Sequence, residues 1–305
     1  MSDSPRQAKQ IVVISGKGGT GKTSVVAALA HLASQRSRLV LVDADVDAAN
    51  LGLVLAPLMR ESHDFYGGQI AVIAADRCTG CGACSAACRF EAIAAHNSAY
   101  EVDPIACEGC ASCYYRCPEQ AIIMKEQLAG YWYVSDTRFG PLVHAHLLAG
   151  QENSGKLVTQ TRQVARELAQ AEGADYILID GPPGIGCPVI AATSGVDLGL
   201  VVAEPTIAGA HDLERALATA SHFGVPAVVC INKCDLNAKR ADEIERFCRE
   251  QGVVVVGRIP FDPAVTEAMV KGRAITERSD GGVARELIGV WASVEERLSG
   301  AQRGA

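Results

Sequence analysis

The stretch "SGKGGTGKTS" (residues 15–24) decides how the rest of the chain is read. Residues 16–23 fit G-x-x-x-x-G-K-[ST], a loop that turns backbone N–H groups toward phosphate oxygens. Side chains would block that approach, and Gly16, Gly18, Gly19 and Gly21 remove the obstruction. Lys17 and Thr20 stand between them, and Ser24 follows the motif. The mechanism requires a strand before the loop and a helix after it. "QIVVIS" (10–15) is a short apolar run of the kind buried on both faces of a sheet. "KTSVVAALAHLASQ" (22–35) has the length and alanine content of a helix, whose positive end would point at the phosphates. Lys22 is then placed to charge-stabilise the β- and γ-phosphates, and the Thr23 hydroxyl to hold Mg²⁺.

Working outward, "RLVLVD" (38–43) reads as a second buried strand and closes a β-loop-α-β unit. "DYILID" (175–180), "DLGLVVAEP", "PAVVCIN" and "VVVVGRIP" are further strand candidates. Helical patterns at 154–170, 211–222 and 239–250 alternate with them. This alternation predicts an α/β fold of the P-loop NTPase kind, a mainly parallel sheet covered by helices on both faces. The pattern breaks from residue 61 to residue 126 and resumes with a strand pair, "YWYVSD" and "PLVHAHLL". The expected organisation is therefore a first part (1–60), an inserted domain (61–126) and a second part (127–305) of one nucleotide-binding domain.

The insert holds the chain's one internal repeat. Cys78, Cys81, Cys84 and Cys88 give C-x2-C-x2-C-x3-C, and Cys107, Cys110, Cys113 and Cys117 repeat it without a gap. Small residues separate the ligands (Gly80, Gly82, Ala83, Gly109, Ala111, Ser112), so the chain is able to wrap closely around an inorganic group. Two [4Fe–4S] clusters match the doubled spacing. Zinc is the rival metal, although its sites usually pair two C-x2-C knuckles across a longer gap.

Composition sets the outer bounds. The 305 residues are 49% hydrophobic and 21% charged, as in ordinary globular chains. A net charge of −7 leaves no excess of Lys and Arg to replace counterions on nucleic acid. No apolar run is long enough to span a bilayer, and the opening "MSDSPRQAKQ" has no apolar core for export. The chain is expected to be cytoplasmic, where twelve cysteines are better explained by metal ligation than by disulfides. The closing "ARELIGVWASVEERLSG" is amphipathic but mixed in charge, and reads as a packed helix without stable membrane insertion.

With Lys17 inside the loop, the K-G-G-x-G-K-T form resembles the deviant Walker A superfamily of MinD, ParA, Mrp-type scaffolds and the nitrogenase iron protein. "DADVDAANL" (43–51) resembles its switch I, and "DYILIDGPPGIG" its Walker B strand and switch II. The resemblance implies that Lys17 crosses an ATP-bound dimer interface to the partner's phosphates. It implies that Asp45 orients the attacking water, that Asp43 lies near Mg²⁺ and that Asp180 holds Mg²⁺ through water. Asn232, in "INKCD", matches the base-contacting asparagine; N-K-x-D also resembles a guanine-reading motif, with ATP favoured by the type of loop. Helix capping or turn formation is the plainer role for these aspartates, and it suits Asp47 best.

"GPLVHAHLLAGQENSGKLV", "GPPGIGCPVIAA" and "EPTIAGAHDLERAL" resemble a subgroup of MinD-superfamily ATPases with an inserted ferredoxin domain. In two-cluster bacterial ferredoxins the fourth cysteine of each run ligates the other cluster. That resemblance assigns Cys78, Cys81, Cys84 and Cys117 to one cluster, and Cys88, Cys107, Cys110 and Cys113 to the second. Cys117 is followed by proline as in ferredoxins, whereas Cys88 is followed by Arg89. Cys187, seven residues past Asp180, has a counterpart in the nitrogenase iron protein that holds a dimer-bridging cluster; core or interface packing is its other reading. Cys230, Cys234 and Cys248 read as buried free thiols.

Three functions follow from the resemblance. ATP-gated electron transfer to a partner protein ranks first, in a homodimer or a heterodimer with a related ATPase. An Mrp-type carrier of iron–sulfur or other metal clusters ranks second, and its short C-x-x-C near the C-terminus is absent here. A positioning switch of the MinD or ParA type ranks third. A redox or metal-cofactor-binding protein is the expected partner.

Overall fold

A computed structural model describes residues 7–278 and 281–300. The polar opening residues 1–6 lie outside it. The described elements, in chain order, are β1 (Lys9–Ser15), α1 (Lys22–Ser34), β2 (Leu39–Asp43), α2 (Leu51–Leu55), β3 (Leu58–Ile73), α3 (Ala83–Ala87), β4 (Ile93–His96), β5 (Ala99–Val102), α4 (Ser112–Arg116), β6 (Ile122–Thr137) and β7 (Gly140–Leu147). They continue with α5 (Ser154–Glu172), β8 (Tyr176–Pro183), α6 (Cys187–Thr193), β9 (Leu198–Ala203), α7 (Ile207–His222), β10 (Ala227–Asn232), α8 (Ala238–Glu250), β11 (Val254–Ile259), α9 (Pro263–Val270) and α10 (Gly282–Gly300). The chain divides into two compact units. One comprises residues 7–63, 132–146 and the described residues from 154 onward; the other comprises 64–131 and 147–153.

The larger unit is an α/β fold with a mostly parallel sheet, in the order β11-β10-β9-β1-β8-β2-β7, continuing through β6 to β3. Every pairing from β11 to β7 is parallel. Parallel strands are buried on both faces, which explains why β1, β2 and β9 read as unbroken apolar runs. Helix α1 buries Val25, Val26, Ala27, Ala28, Leu29 and Ala30 in sequence, and its alanines let it lie close to the sheet. Leu41 pairs in register with Leu178 on one side and Leu142 on the other, and this apolar row shares one core with α1. Two residues further along each strand the side chains return to the same face. There the row is Asp180, Asp43 and His144. The sheet thus converts from apolar to ionisable at the C-terminal end of β2 and midway along β8 and β7.

Helix α10 buries Val283, Leu287, Val290, Trp291, Val294 and Leu298, an i, i+3/i+4 stripe, against the same core. Trp291 meets Tyr176 edge-on at 5.4 Å. The amphipathic closing stretch is a core-packed helix, and no helix of the described residues is long and apolar enough to cross a membrane.

The smaller unit repeats one device twice. Gly80 and Gly109 hold the left-handed backbone conformation, as do Gly82 and Ala111 two residues on. The chain then makes five-residue helices, α3 and α4, which place Cys84 and Cys113 on their buried side. Each helix ends at the fourth cysteine, Cys88 or Cys117, in nearly identical extended conformations (φ −79°, ψ 112° and φ −77°, ψ 112°). β4 and β5 form an antiparallel hairpin between the repeats. The core is Ala71, Cys84, Ile93, Cys113 and Ile122. "YWYVSD" is the second half of β6, a strand of 16 residues that begins five positions after Cys117. Its first half was hidden in the sequence by the cysteine-rich stretch preceding it. The segment 147–153 also joins this unit, which a contiguous insert could not anticipate.

Candidate functional site

The loop from residue 16 to residue 21 joins β1 to α1 at the carboxyl end of the sheet. Gly21 caps α1 with φ 92°, a left-handed conformation that disfavours other residues, and a Cβ there would strike the Asn232 side-chain amide. A Cβ on Gly16 would strike Asp212 of α7. At Gly18 and Gly19, by contrast, a Cβ would meet open space within 4 Å. The loop is therefore closed against the protein on one side and open on the other, which fits a phosphate cradle. Ser15 Oγ donates to Lys17 O (2.6 Å) and accepts from Lys22 Nζ (3.0 Å). Lys22 is buried; burial lowers its pKa, while Asp180, Asp45 and Asp43 oppose that shift.

Thr23 and the aspartates surround Lys22. Asp180 is buried, and its Oδ1 finds no hydrogen-bond partner among the described residues. Burial pushes its carboxyl up to about 7; the Thr23 hydroxyl and Lys22 act in the opposite direction. Asp43 is raised well above the ordinary carboxylate range by burial and then by Asp180 beside it. Its Oδ2 accepts from Leu51 N at 3.0 Å, at the start of α2, and its Oδ1 from Asp45 N at 3.2 Å. Asp45 is half-buried and also shifted up by burial; its Oδ1 accepts from Ala48 N at 3.2 Å. Thr20 Oγ1, inside the loop, is a second buried polar atom without a partner among the described residues. The unpartnered Asp180 Oδ1, beside the buried Asp43 carboxyl, leaves an oxygen ligand open to a cation. Asp43, Asp180 and Thr23 have the oxygen chemistry that suits Mg²⁺.

Lys17 turns back onto its own chain. Its Nζ lies 3.0 Å from Glu204 Oε2 and 3.4 Å from Thr206 Oγ1. Glu204 also receives Lys233 Nζ at 2.7 Å, and Lys233 Nζ donates to Gly19 O at 3.0 Å. Although burial pushes the Glu204 pKa upward, the two lysines outweigh it and hold the carboxyl below its usual value. A cavity of about 230 Å³ opens beside the loop, with Asn232, Pro260, Phe261, Val265, Met269 and Ile275 in its wall. Asn232 lines it with its amide already engaged: Nδ2 donates to Thr20 O (2.7 Å) and Oδ1 accepts from Lys233 N (3.0 Å). Asp235, the last residue of N-K-x-D, accepts from Phe261 N at 2.6 Å and is not in the wall.

In the smaller unit the eight cysteines line two recesses of similar size. Cys78, Cys81, Cys84 and Cys117 line one small recess, and Cys88, Cys107, Cys110 and Cys113 line the other. All eight are free thiols, and each recess has one buried and one exposed cysteine. Among the described residues no three His, Cys, Asp or Glu converge as they would on a single metal ion. Cys187 is an exposed free thiol at the first position of α6, backed by Gly155. Cys230 and Cys248 are buried, with pKa values pushed to about 12 and about 11, as befits inert core thiols.

Four residues at this site carried no signal in the single sequence. Ser15 and Glu204 organise the loop lysines. His144 stands beside Asp43 in register, and its Nε2 lies 2.9 Å from Ser135 Oγ. Arg138 holds the far end of α2. A register-aware alignment of β2 with β7 would have found His144; the others depend on tertiary contacts.

Residues 11–275 match the family described as the CobQ/CobB/MinD/ParA nucleotide-binding domain. An uncharacterized protein of Methanocaldococcus jannaschii is 36% identical over 228 residues, 75% of this chain and 79% of that one. The septum site-determining protein MinD of Bacillus subtilis is 26% identical over 274 residues (87% and 81%). An iron-sulfur cluster carrier protein of M. jannaschii is 23% identical over 277 residues (86% and 76%). Among solved structures, MinD of Pyrococcus horikoshii in complex with Mg-ADP superposes with a TM-score of 0.60 at 17% identity, covering 98% of this chain and 100% of that one. MinD in the MinC:MinD complex of Aquifex aeolicus gives 0.58 at 18% identity, covering 95% and 96%.

Proposed function

The chain belongs to the CobQ/CobB/MinD/ParA family of nucleotide-binding proteins, and from that premise we propose that it is an ATPase that couples nucleotide binding in a dimer to iron–sulfur electron transfer toward a partner protein. One observation carries this reading: two matched four-cysteine recesses stand on the same chain as a phosphate loop ringed by buried carboxylates.

The loop N–H groups and Lys22 bind the phosphates. Thr23, Asp43 and Asp180 would hold Mg²⁺, which when bound neutralises charge between the β- and γ-phosphate oxygens. Asp45 orients the attacking water. Lys17 leaves Glu204 and reaches the phosphates across the dimer. The base enters the apolar cavity. Asp235 Oδ1 accepts from the Phe261 amide and Asp235 is not in the cavity wall, which supports ATP over GTP as the nucleotide. Residues 64–131, with 147–153, form the cluster-holding domain, in which Cys78, Cys81, Cys84 and Cys117 hold one [4Fe–4S] cluster and Cys88, Cys107, Cys110 and Cys113 the second. Such clusters, when bound, carry single electrons at potentials set by sulfur hydrogen bonding and exposure.

A carrier function is the second reading, favoured by the relative named an iron-sulfur cluster carrier protein. Anaerobic reconstitution separates the two. An electron-transfer ATPase takes up two [4Fe–4S] clusters per chain, keeps them in the presence of an apo-acceptor, and hydrolyses ATP in preference to GTP. ATP-stimulated loss of iron to the acceptor would establish the carrier instead.

A further inference from the structure

Outside the loop, a dense set of polar contacts surrounds Arg138, in the two-residue turn between β6 and β7. Five acceptor contacts surround its guanidinium, three of them sharing the two N–H groups of Nη2. Nη1 donates to Leu55 O (2.9 Å) and Nη2 to Val54 O (3.1 Å), the last carbonyls of α2. Nη2 also donates to Gly272 O (3.0 Å), just past α9. Nε and Nη2 grip Glu277, at 2.9 and 2.7 Å to its two oxygens. The Phe139 ring packs beneath the guanidinium at 4.5 Å. Glu277 in turn accepts from Ala274 N at 2.6 Å.

Helix α2 has five residues, too few to be stable by itself. It is pinned at both ends. Its first amide, Leu51 N–H, is held by Asp43 Oδ2. Its last carbonyls are held by Arg138. Leu51, Val54 and Leu55 are buried in the core between these pins, so the helix transmits displacement from one end to the other. Unpinning the carbonyl end leaves the Leu51 amide free to shift, and with it the carboxylate it orients.

We infer that Arg138 is a positioning residue of the nucleotide site: by capping α2 it fixes the orientation of Asp43 and so sets the affinity for Mg²⁺ in the Mg-nucleotide complex. This rests on the reading of Asp43 as a metal-site carboxylate. Lysine does not reproduce the effect fully, because a single ammonium cannot span two α2 carbonyls, Gly272 and Glu277 together.

The test is equilibrium binding of ATP to the full-length protein, with Mg²⁺ titrated and with Mg²⁺ removed by chelation. Amide exchange across α2 is followed in parallel. In Arg138→Gln the Mg²⁺ requirement rises by about tenfold, as for loss of an outer-shell partner. Affinity for Mg-free ATP stays at the wild-type level, and the α2 amides exchange faster. Glu277→Gln removes the ion pair but leaves Arg138 on the α2 carbonyls, so its Mg²⁺ requirement stays near wild type. Arg138→Lys shifts the requirement in the same direction as Arg138→Gln by a smaller amount, and serves if the glutamine variant does not fold. The inference is overturned if the Arg138 variants bind Mg-ATP normally, or lose Mg-free and Mg-bound affinity alike, or if Glu277→Gln moves Mg²⁺ affinity as far. Asp43→Asn is the reference: normal Mg²⁺ dependence in that variant, beside a shift in Arg138→Gln, would remove Asp43 from the metal site and leave Arg138 acting by another route.

Discussion

Asp180 and Asp43 lie side by side on neighbouring strands, both buried, and Asp180 keeps one oxygen without a partner among the described residues. Two carboxyls so placed resist ionising together. Their raised pKa values have a definite sign for stability. The folded state binds more protons than the unfolded state between the ordinary aspartate range and about pH 7 for Asp180. The stabilisation is complete below that window and is lost as pH rises through it. Asp180→Asn should therefore raise the melting temperature of the nucleotide-free protein more at pH 8 than at pH 5, with each kcal/mol worth about 2–4 °C in a chain of this class. Equal shifts at both pH values would contradict the assignment. If Mg²⁺ is held by the ionised pair, as proposed, Mg-dependent ATP affinity should rise as pH passes 7. Lys17→Ala and Asp45→Ala should each lower ATP hydrolysis sharply, on the order of a hundredfold or more, with iron content unchanged. Wild-type turnover in either variant would remove it from the active site. Asp43, Asp45 and Asp180 were legible because each ends or follows an apolar run beside a recognisable loop. Glu204 was not, because nothing in "AEP" reveals that two lysines from distant segments meet on it.

At the scale of elements, the cysteine repeat was the most legible part of the chain. Its ligand spacing, its left-handed turns and its short helices are all local, so two passes of the same motif give two recesses of matching size. The long strand β3 and the first half of β6 were not legible, because their residues mix polar and apolar types with no alternation to mark them. The segment 147–153 was hidden for another reason: its place in the smaller unit is a tertiary fact. Treating each recess as an independent cluster site has a direct consequence. Cys81→Ser should lose one of the two clusters, read as a halved iron content and a simplified paramagnetic spectrum, while ATP binding is retained. Loss of both clusters would mean that the recesses do not form separately.

At the scale of the whole molecule, the order of parts along the chain carries the functional idea. The cysteine-bearing segment lies between Asp45 and Asp180, the two residues read as belonging to the nucleotide-responsive switches. Strand β6 leads by chain continuity from just past Cys117 to the turn where Arg138 grips α2. The parallel sheet and its helices were predictable from the alternation of apolar runs. Which strand stands beside which was not, since the order places β1 between β8 and β9, far from it in sequence. The central claim is that nucleotide and clusters are coupled. It is tested most directly by midpoint potentials of the anaerobically purified protein, followed by electron paramagnetic resonance with and without Mg-ATP. Coupling predicts that at least one cluster potential shifts when Mg-ATP binds, and that the shift disappears in Lys22→Ala. Potentials and spectra identical with and without nucleotide would contradict it, leaving the cysteine-rich unit as an independent relay.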